Sequence, residues 1–182
     1  MLYNVKEGRL SVHELGFTTL RAKQLLLQFI ANHDSMAETV DMTVPENDNL
    51  PLFVDEPRFE QEINPYFMAR IVNVPAFLKA YPFADEMAES VTLHVEDAFL
   101  PENSGTYQLS QIGSDTKVTS MQPTVEQTSS IDCSIQQLTT MLMGYKRPAE
   151  LYAAGLIRGE SEQIERLERV IPRRQTFSPD FF

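Results

Sequence analysis

Residues 91–112 read VTLHVEDAFLPENSGTYQLSQI, and this stretch decides the fold of the second half of the chain. Its first six residues alternate apolar and polar side chains, which is the two-residue period of a half-buried β-strand. The sequence PENSG at 101–105 supplies turn residues, and residues 107–112 are predicted to return as a second strand. The stretch therefore predicts neighbouring strands at the centre of a small sheet.

Short strands and then helices are predicted after this pair. The further strands fall at 117–120 and 129–133, and three helices close the chain, so the second half is predicted to be an α+β layer. The residues that mark the three helices are Ile135, Leu138, Leu142 and Gly144; Pro148 and Gly155; and Ile164, Leu167, Ile171 and Pro172.

The first half has the pattern of a partial α/β sheet. Residues 1–17 predict a β-hairpin, and a helix capped by Thr18 or Thr19 follows. Strands are predicted at 39–44 and 66–72, with a short helix at 74–81. So few strands leave an exposed sheet edge, and natural proteins rarely leave long edges bare. We therefore expect a chain cut from something longer, or one that pairs with another subunit.

Composition narrows the functional classes. The 182 residues carry a net charge of −11, which argues against a general nucleic-acid binder. This acidity suits cationic small molecules, although a surface charge that keeps the protein in solution is the favoured interpretation. No apolar run approaches the roughly 20 residues that span a bilayer, so no membrane role is expected. Cys133 is the only cysteine, which fits a reducing cytoplasm.

Common catalytic motifs are not found in the sequence. Neither a glycine-rich phosphate loop nor a GxSxG segment occurs. His13, His33 and His94 lack metal-ligand spacing, so no metal is expected, and ordinary hydrogen-bonded or exposed roles are favoured. Cys133 has no neighbouring base and is interpreted as a small core residue.

Two pairs of residues permit more than one interpretation. Asp97 and Glu102 flank the turn before Asn103, where a functional carboxylate and turn-stabilising hydrogen bonds explain the sequence equally well. Met141 and Met143 are compatible with an apolar lipid pocket, although core packing is the favoured interpretation.

The last six residues contain three aromatic side chains, those of Phe177, Phe181 and Phe182. Chain ends are usually polar, and exposing two adjacent phenylalanines forgoes about 1.5–3 kcal/mol of burial for each. The tail should therefore dock in a groove and fix its terminal carboxylate, whose reference pKa of about 3.3–3.7 suits a proton acceptor. A tail that only seals the core is the alternative, and the residues leave both open.

Several segments, spread in order over nearly the whole chain, resemble the enhanced-intracellular-survival (Eis-like) acetyltransferases of the GNAT superfamily. These segments are VHEL at 12–15, NHDS at 32–35, PYFMARIVNV at 65–74 with Phe77 and Leu78, PENSGTY at 101–107, residues 138–145, GLI at 155–157, Leu167, and DFF at 180–182.

The resemblance implies a three-part protein. It has an N-terminal GNAT domain that binds acetyl-CoA, a degenerate second GNAT domain and a sterol-carrier-protein-like α+β domain. Residues 1–83 would be the later half of the second domain and residues 84–182 the sterol-carrier-like domain. This chain would then be the C-terminal portion, without the acetyl-CoA domain and inactive alone. The fold class is accordingly α+β: a partial GNAT-like α/β half-domain followed by the sterol-carrier-like domain.

The resemblance also implies a site and partners. The C-terminal carboxylate, which carries over to Phe182, would act as general base for an accepting amine such as an aminoglycoside or a lysine side chain. Members of the family form homo-oligomers, and we expect a bacterial, cytoplasmic protein. A non-catalytic module that binds a lipid or another apolar ligand is the alternative function, and an assembly role is a third.

Overall fold

A computed structural model describes residues 1–64, 67–84, 87, 89–112, 115–121 and 130–177. These residues fall into two compact units, one formed by residues 1–64 with Phe177 and the other within residues 67–176. Each unit has its own hydrophobic core. The mixed α+β fold class is confirmed, whereas the division into domains at residues 83 and 84 stays a prediction.

The first unit is a three-stranded sheet with one helix. Strands β1 (Leu2–Lys6) and β2 (Arg9–Glu14) form the predicted hairpin. Helix α1 (Leu20–Ala31) then crosses over to β3 (Thr39–Met42), which pairs in parallel with β2. The parallel pair follows from the helix, because a helical crossover returns the chain in the same direction.

Local chemistry explains where these elements begin and end. The turn between β1 and β2 needs positive φ at Glu7 (53°) and Gly8 (76°), which is the geometry that tight hairpins favour. Thr19 caps α1, because its hydroxyl accepts a hydrogen bond from the Ala22 N–H at 3.1 Å. The unit's small core consists of Leu10, Val12 and Ile30.

The second unit is a four-stranded sheet in the order β6-β5-β4-β7. Its strands are β4 (Val91–Glu96), β5 (Gly105–Ile112), β6 (Asp115–Met121) and β7 (Ile131–Ser134). Strands β4 and β5 pair antiparallel, as the opening stretch predicts, and β7 pairs in parallel with β4. The apolar side of β4 is fully buried, so this strand lies at the centre of the core.

The described residues of this unit form four α-helices and a short 3₁₀ helix (Pro101–Asn103). The α-helices are α2 (Val74–Ala80), α3 (Ile135–Leu142), α4 (Pro148–Ala153) and α5 (Ser161–Val170). The three predicted closing helices are confirmed with their apolar stripes, since Leu138, Ile164 and Leu167 are almost completely buried. Glu162 and Arg166 on α5 are four residues apart and form an ion pair at 2.7 Å.

The strand predicted at residues 66–72 is wrong over its described residues, 67–72. The side chains of Phe67, Met68 and Val72 are 52%, 101% and 70% exposed, so no sheet covers them. A side chain takes the place of a sheet partner: the Asn103 amide donates to the Val72 carbonyl at 3.4 Å and accepts from the Val74 N–H at 3.1 Å. The segment is held by side chains and not by a neighbouring strand, since the Ile71 N–H also donates to the Thr139 hydroxyl at 3.4 Å.

No helix within the described ranges is both long and apolar enough to cross a bilayer.

Candidate functional site

The predicted catalytic residue, Phe182, lies outside the described residues, as do Asp180 and Phe181. The structure does describe the chain that leads to it, from the end of α5 to Phe177. The candidate site is therefore the set of contacts that holds residues 171–176, which we call the tail segment.

Arg147 is the principal contact of the tail segment. Its Nη1 donates to the carbonyl oxygens of Ile171 at 3.0 Å and Pro172 at 3.2 Å. Its Nη2 donates to the carbonyl of Glu168 at 2.5 Å, and its Nε forms an ion pair with the Glu168 carboxylate at 2.8 Å. One planar guanidinium thus donates to three carbonyl groups at and just after the end of α5. The ammonium of a lysine lacks the planar set of donors that makes this possible.

The loop before Arg147 holds the next part of the tail segment. The Thr176 hydroxyl donates a hydrogen bond to the Met143 carbonyl. Gly144 has a φ of +73°, and a Cβ there would collide with the Arg174 carbonyl oxygen. Glycine is required at 144 both for its backbone conformation and for this close approach of the tail. The α3–α4 loop and the tail segment are therefore fitted to one another.

Arginine charges surround Tyr81, which packs between the rings of Phe77 and Phe83. Burial raises the pKa of the Tyr81 hydroxyl, while the charges of Arg174 and Arg147 partly offset that rise. Tyr81 is consequently a neutral phenol at physiological pH.

Asp97 stabilises a turn. Burial alone would raise the pKa of its carboxyl group, but hydrogen bonds from the Leu100 N–H, the Asn103 amide, the Phe99 N–H and Arg70 outweigh burial and lower the pKa to about 2. These donors lie 2.5–3.0 Å from its oxygens. Of the two interpretations of Asp97, the structure supports hydrogen bonding of the turn, because donors of the protein itself surround the carboxylate.

Cys133 and Met141 are core residues, as predicted. Cys133 is 5% exposed on β7, and burial together with the charge of Asp132 raises the pKa of its thiol to about 12. A thiol with such a pKa is not a nucleophile at neutral pH. Met141 is fully buried in α3 and packs within the main core.

The three histidines are separate from one another along the fold. His94 on β4 shares a hydrogen bond with the Thr106 hydroxyl at 3.1 Å. His33, after α1, contacts the Phe29 carbonyl at 2.8 Å and the ring of Tyr3. His13 is exposed on β2. Within the described ranges, no group of three histidine, cysteine or acidic residues is arranged to hold a metal ion.

Sequence reasoning missed Arg147. The residue directly precedes Pro148, the first residue of α4, and so occupies the N-cap position. A positive charge there opposes the helix dipole, which makes arginine an unfavourable choice unless other contacts hold it. That misplaced charge is the signal by which the sequence could have identified it.

Two families match the chain. The sterol carrier protein domain matches residues 74–179, and the acetyltransferase (GNAT) domain matches residues 1–71. Comparison with curated proteins gives no match.

Solved structures cover almost the whole chain. A probable N-acyltransferase from Enterococcus faecalis V583 is 25% identical, with a TM-score of 0.82. The match covers 99% of this chain and 45% of the acyltransferase chain. A GCN5-related N-acetyltransferase from Kribbella flavida is 25% identical, with a TM-score of 0.76. The match covers 99% of this chain and 45% of the acetyltransferase chain. Eis1 from Mycobacterium abscessus shares the fold, with 24% identity and a TM-score of 0.75. The match covers 96% of this chain and 43% of the Eis1 chain.

These matches define a GNAT acetyltransferase domain joined to a sterol carrier protein domain. The chain belongs to the sterol carrier protein domain family, whose match covers more than half of it. GNAT proteins in general transfer an acyl group from acetyl-CoA to an amine. The chain spans less than half the length of the solved structures that it resembles.

Proposed function

We propose that this chain is the C-terminal, substrate-side part of an acetyl-CoA-dependent amine N-acetyltransferase of the Eis-like type. The observation that carries the proposal is the match over 99% of the chain to a probable N-acyltransferase. The chain contributes the α-carboxylate of Phe182 to the active site, where it accepts a proton from the attacking amine. An aminoglycoside or a lysine side chain is the class of acceptor we propose, and the net charge of −11 favours such cations.

The restraint of the tail segment supports this role for the carboxylate. A general base must lie within about 2.6–3.2 Å of the proton that it takes, or act through one water. A freely moving chain end cannot meet that requirement. Arg147 and Gly144 bring order to the chain as far as Thr176, six residues before the end. These contacts fix the chain that leads to the carboxylate, which supports its proposed role.

Our proposal that this chain does not hold acetyl-CoA rests on the side chains at the start of α1. The parallel pair β2 and β3 with α1 is the natural place for a phosphate, since ligands bind beyond the carboxyl ends of parallel strands. Here Phe17 and the carboxylate of Asp48 border the start of α1, and a carboxylate repels a pyrophosphate. We therefore propose that the cofactor is held outside this chain, and that the chain alone neither binds acetyl-CoA nor transfers acetyl groups.

Calorimetry tests this division of roles. The isolated chain should give no heat on titration with acetyl-CoA, whereas the chain expressed continuously with its upstream coding sequence should bind it and acetylate a polyamine or an aminoglycoside. Acetyl-CoA binding by the isolated chain would contradict the assignment of the cofactor. Absence of transfer by the longer protein with any amine would contradict the acetyltransferase proposal.

A lipid-binding module is the second candidate, favoured by the match to the sterol carrier protein domain. Of the two methionines considered for such a pocket, Met141 is packed in the core, and Met143 is half-buried at the end of α3. Native mass spectrometry of the purified chain distinguishes the two functions: a co-purified lipid supports the module, and bare protein counts against it. Homo-oligomerisation and a cytoplasmic location also remain part of our proposal, and light scattering tests the former.

A further inference from the structure

The first unit contains a pocket that the proposed function does not use. Its volume is about 470 Å³, within the usual range of small-molecule sites. The loop after β2 and the loop after β3 both line it, through Phe17 on one side and Asp48 and Phe53 on the other. The pocket therefore lies beyond the carboxyl ends of the two parallel strands, where open α/β sheets commonly bind ligands.

A buried lysine lies in the wall of this pocket. The side chain of Lys23 is 7% exposed, and its ammonium is 5.3 Å from the centroid of the Phe17 ring and 4.6 Å from that of Phe53. Its hydrogen-bonding partner is Asp48, at 3.5 Å, which is the upper limit of such a bond. An ammonium has three donors, and taking it out of water is costly unless strong partners replace the water.

The position of Lys23 in its helix adds to this cost. It lies in the first turn of α1, at the positive end of the helix dipole, and no acidic residue occurs in that turn. The partner Asp48 is itself engaged elsewhere, because its second oxygen accepts the Leu50 N–H at 2.6 Å. An anion in the pocket would offset both the burial and the unfavourable placement of the lysine.

We propose that this pocket binds a small organic monoanion, with its carboxylate on Lys23 and an apolar body against Phe17 and Phe53. The two rings supply apolar walls for the body of the ligand, while the ammonium fixes its head. Asp48 limits the charge that the site tolerates: a single carboxylate would share the Lys23 ammonium with Asp48, and a polyanion is repelled. The proposal is independent of the role of Phe182.

A structural alternative explains the same contacts without a ligand. The pair of Lys23 and Asp48 could only tether the loop after β3 to α1. The two explanations differ in what Asp48 does to a ligand. As a tether it has no effect on anion binding, whereas as a competitor for the ammonium it weakens that binding. Replacing Asp48 therefore distinguishes the two explanations: anion binding becomes tighter if Asp48 competes for the ammonium, and it does not if Asp48 is only a tether.

The experiment titrates the 182-residue chain with benzoate, benzyl alcohol and benzylamine, three probes of similar shape and different charge, and follows backbone amide shifts by NMR. We expect saturable binding of benzoate, with the largest shifts at residues 17–23 and 45–53. Lys23→Met should weaken benzoate binding about tenfold or more, the value of one charged hydrogen bond. Asp48→Asn should strengthen it several-fold. The exposed Lys117→Met on β6 serves as the matched control and should change nothing.

Three outcomes would overturn the proposal. They are the absence of saturable benzoate binding, equal binding by Lys23→Met, and preference for benzylamine over benzoate. If Lys23→Met fails to fold, Asp48→Asn decides alone, because unchanged or weaker benzoate binding by that variant supports the tether.

Discussion

The guanidinium of Arg147 donates a hydrogen bond to the backbone carbonyl of Ile171 at 3.0 Å, 24 residues further along the chain. The contact joins the start of α4 to the first residue after α5. Together with the ion pair to Glu168, it sets the direction in which the tail segment leaves the second unit.

Replacing Arg147 should therefore affect both stability and the tail. Arg147→Ala should lower the free energy of unfolding by about 1.5–3 kcal/mol, because buried carbonyls lose a charged donor. Arg147→Lys should recover only part of this loss, since an ammonium lacks the planar fork. Urea denaturation measures the change, with Arg169→Ala as control. Equal stability of Arg147→Ala and wild type would show that water replaces these hydrogen bonds.

Gly144→Ala should release the tail segment. The substitution places an alanine in the left-handed region of backbone conformation, which costs about 1–2 kcal/mol. The added Cβ would also collide with the Arg174 carbonyl oxygen. Gly155→Ala is the matched control, because φ is +70° there and nothing lies within 4 Å of the added Cβ. Limited trypsin digestion should cut Gly144→Ala after Arg173 or Arg174 faster than either the control or wild type. Identical cleavage of both glycine variants would mean that only backbone strain matters.

Asp97 should make stability depend on acid pH. Its pKa in the folded state, about 2, lies below the ordinary value of about 3.9. The ionised carboxylate therefore stabilises the fold above about pH 4, and this contribution is lost as the pH falls towards 2. The difference in unfolding free energy between wild type and Asp97→Asn should be large at pH 7 and shrink towards pH 2. A pH-independent difference would contradict this assignment.

Cys133 should resist alkylation. Its buried thiol has a pKa raised to about 12, so almost no thiolate is present at pH 8. Iodoacetamide should leave the folded chain unmodified and label it fully in denaturant, and because Cys133 is the only cysteine the mass change is unambiguous. Rapid labelling of the folded chain would show that β7 opens readily.

Sequence patterns predicted the regular elements well because their causes are local. The alternation in β4 and the stripe in α5 follow directly from which side chains face the core. The predicted strand at 66–72 failed for the opposite reason. Its partner is the side chain of Asn103, about 30 residues away, and alternation cannot distinguish a sheet partner from such a contact.

The candidate site was less accessible to sequence reasoning. Phe182 was predicted from resemblance, whereas Arg147 and Gly144, which hold the tail segment, act through backbone carbonyls. Carbonyl groups are common to all residues, so no pattern of residue types marks the sites that an arginine will reach. Only the placement of Arg147 at a helix N-cap gave a local signal.

The central claim concerns the carboxylate of Phe182, and one comparison tests it most directly. The chain, continuous with its upstream coding sequence, is assayed for acetyl transfer as Phe182→Leu and with Phe182 deleted. Phe182→Leu keeps the carboxylate in register, whereas deletion withdraws it by about 3.3–3.6 Å. Deletion should lower kcat by about 10²–10⁴-fold with acetyl-CoA binding unchanged, while Phe182→Leu retains most activity. Full activity after the deletion would contradict the carboxylate as general base.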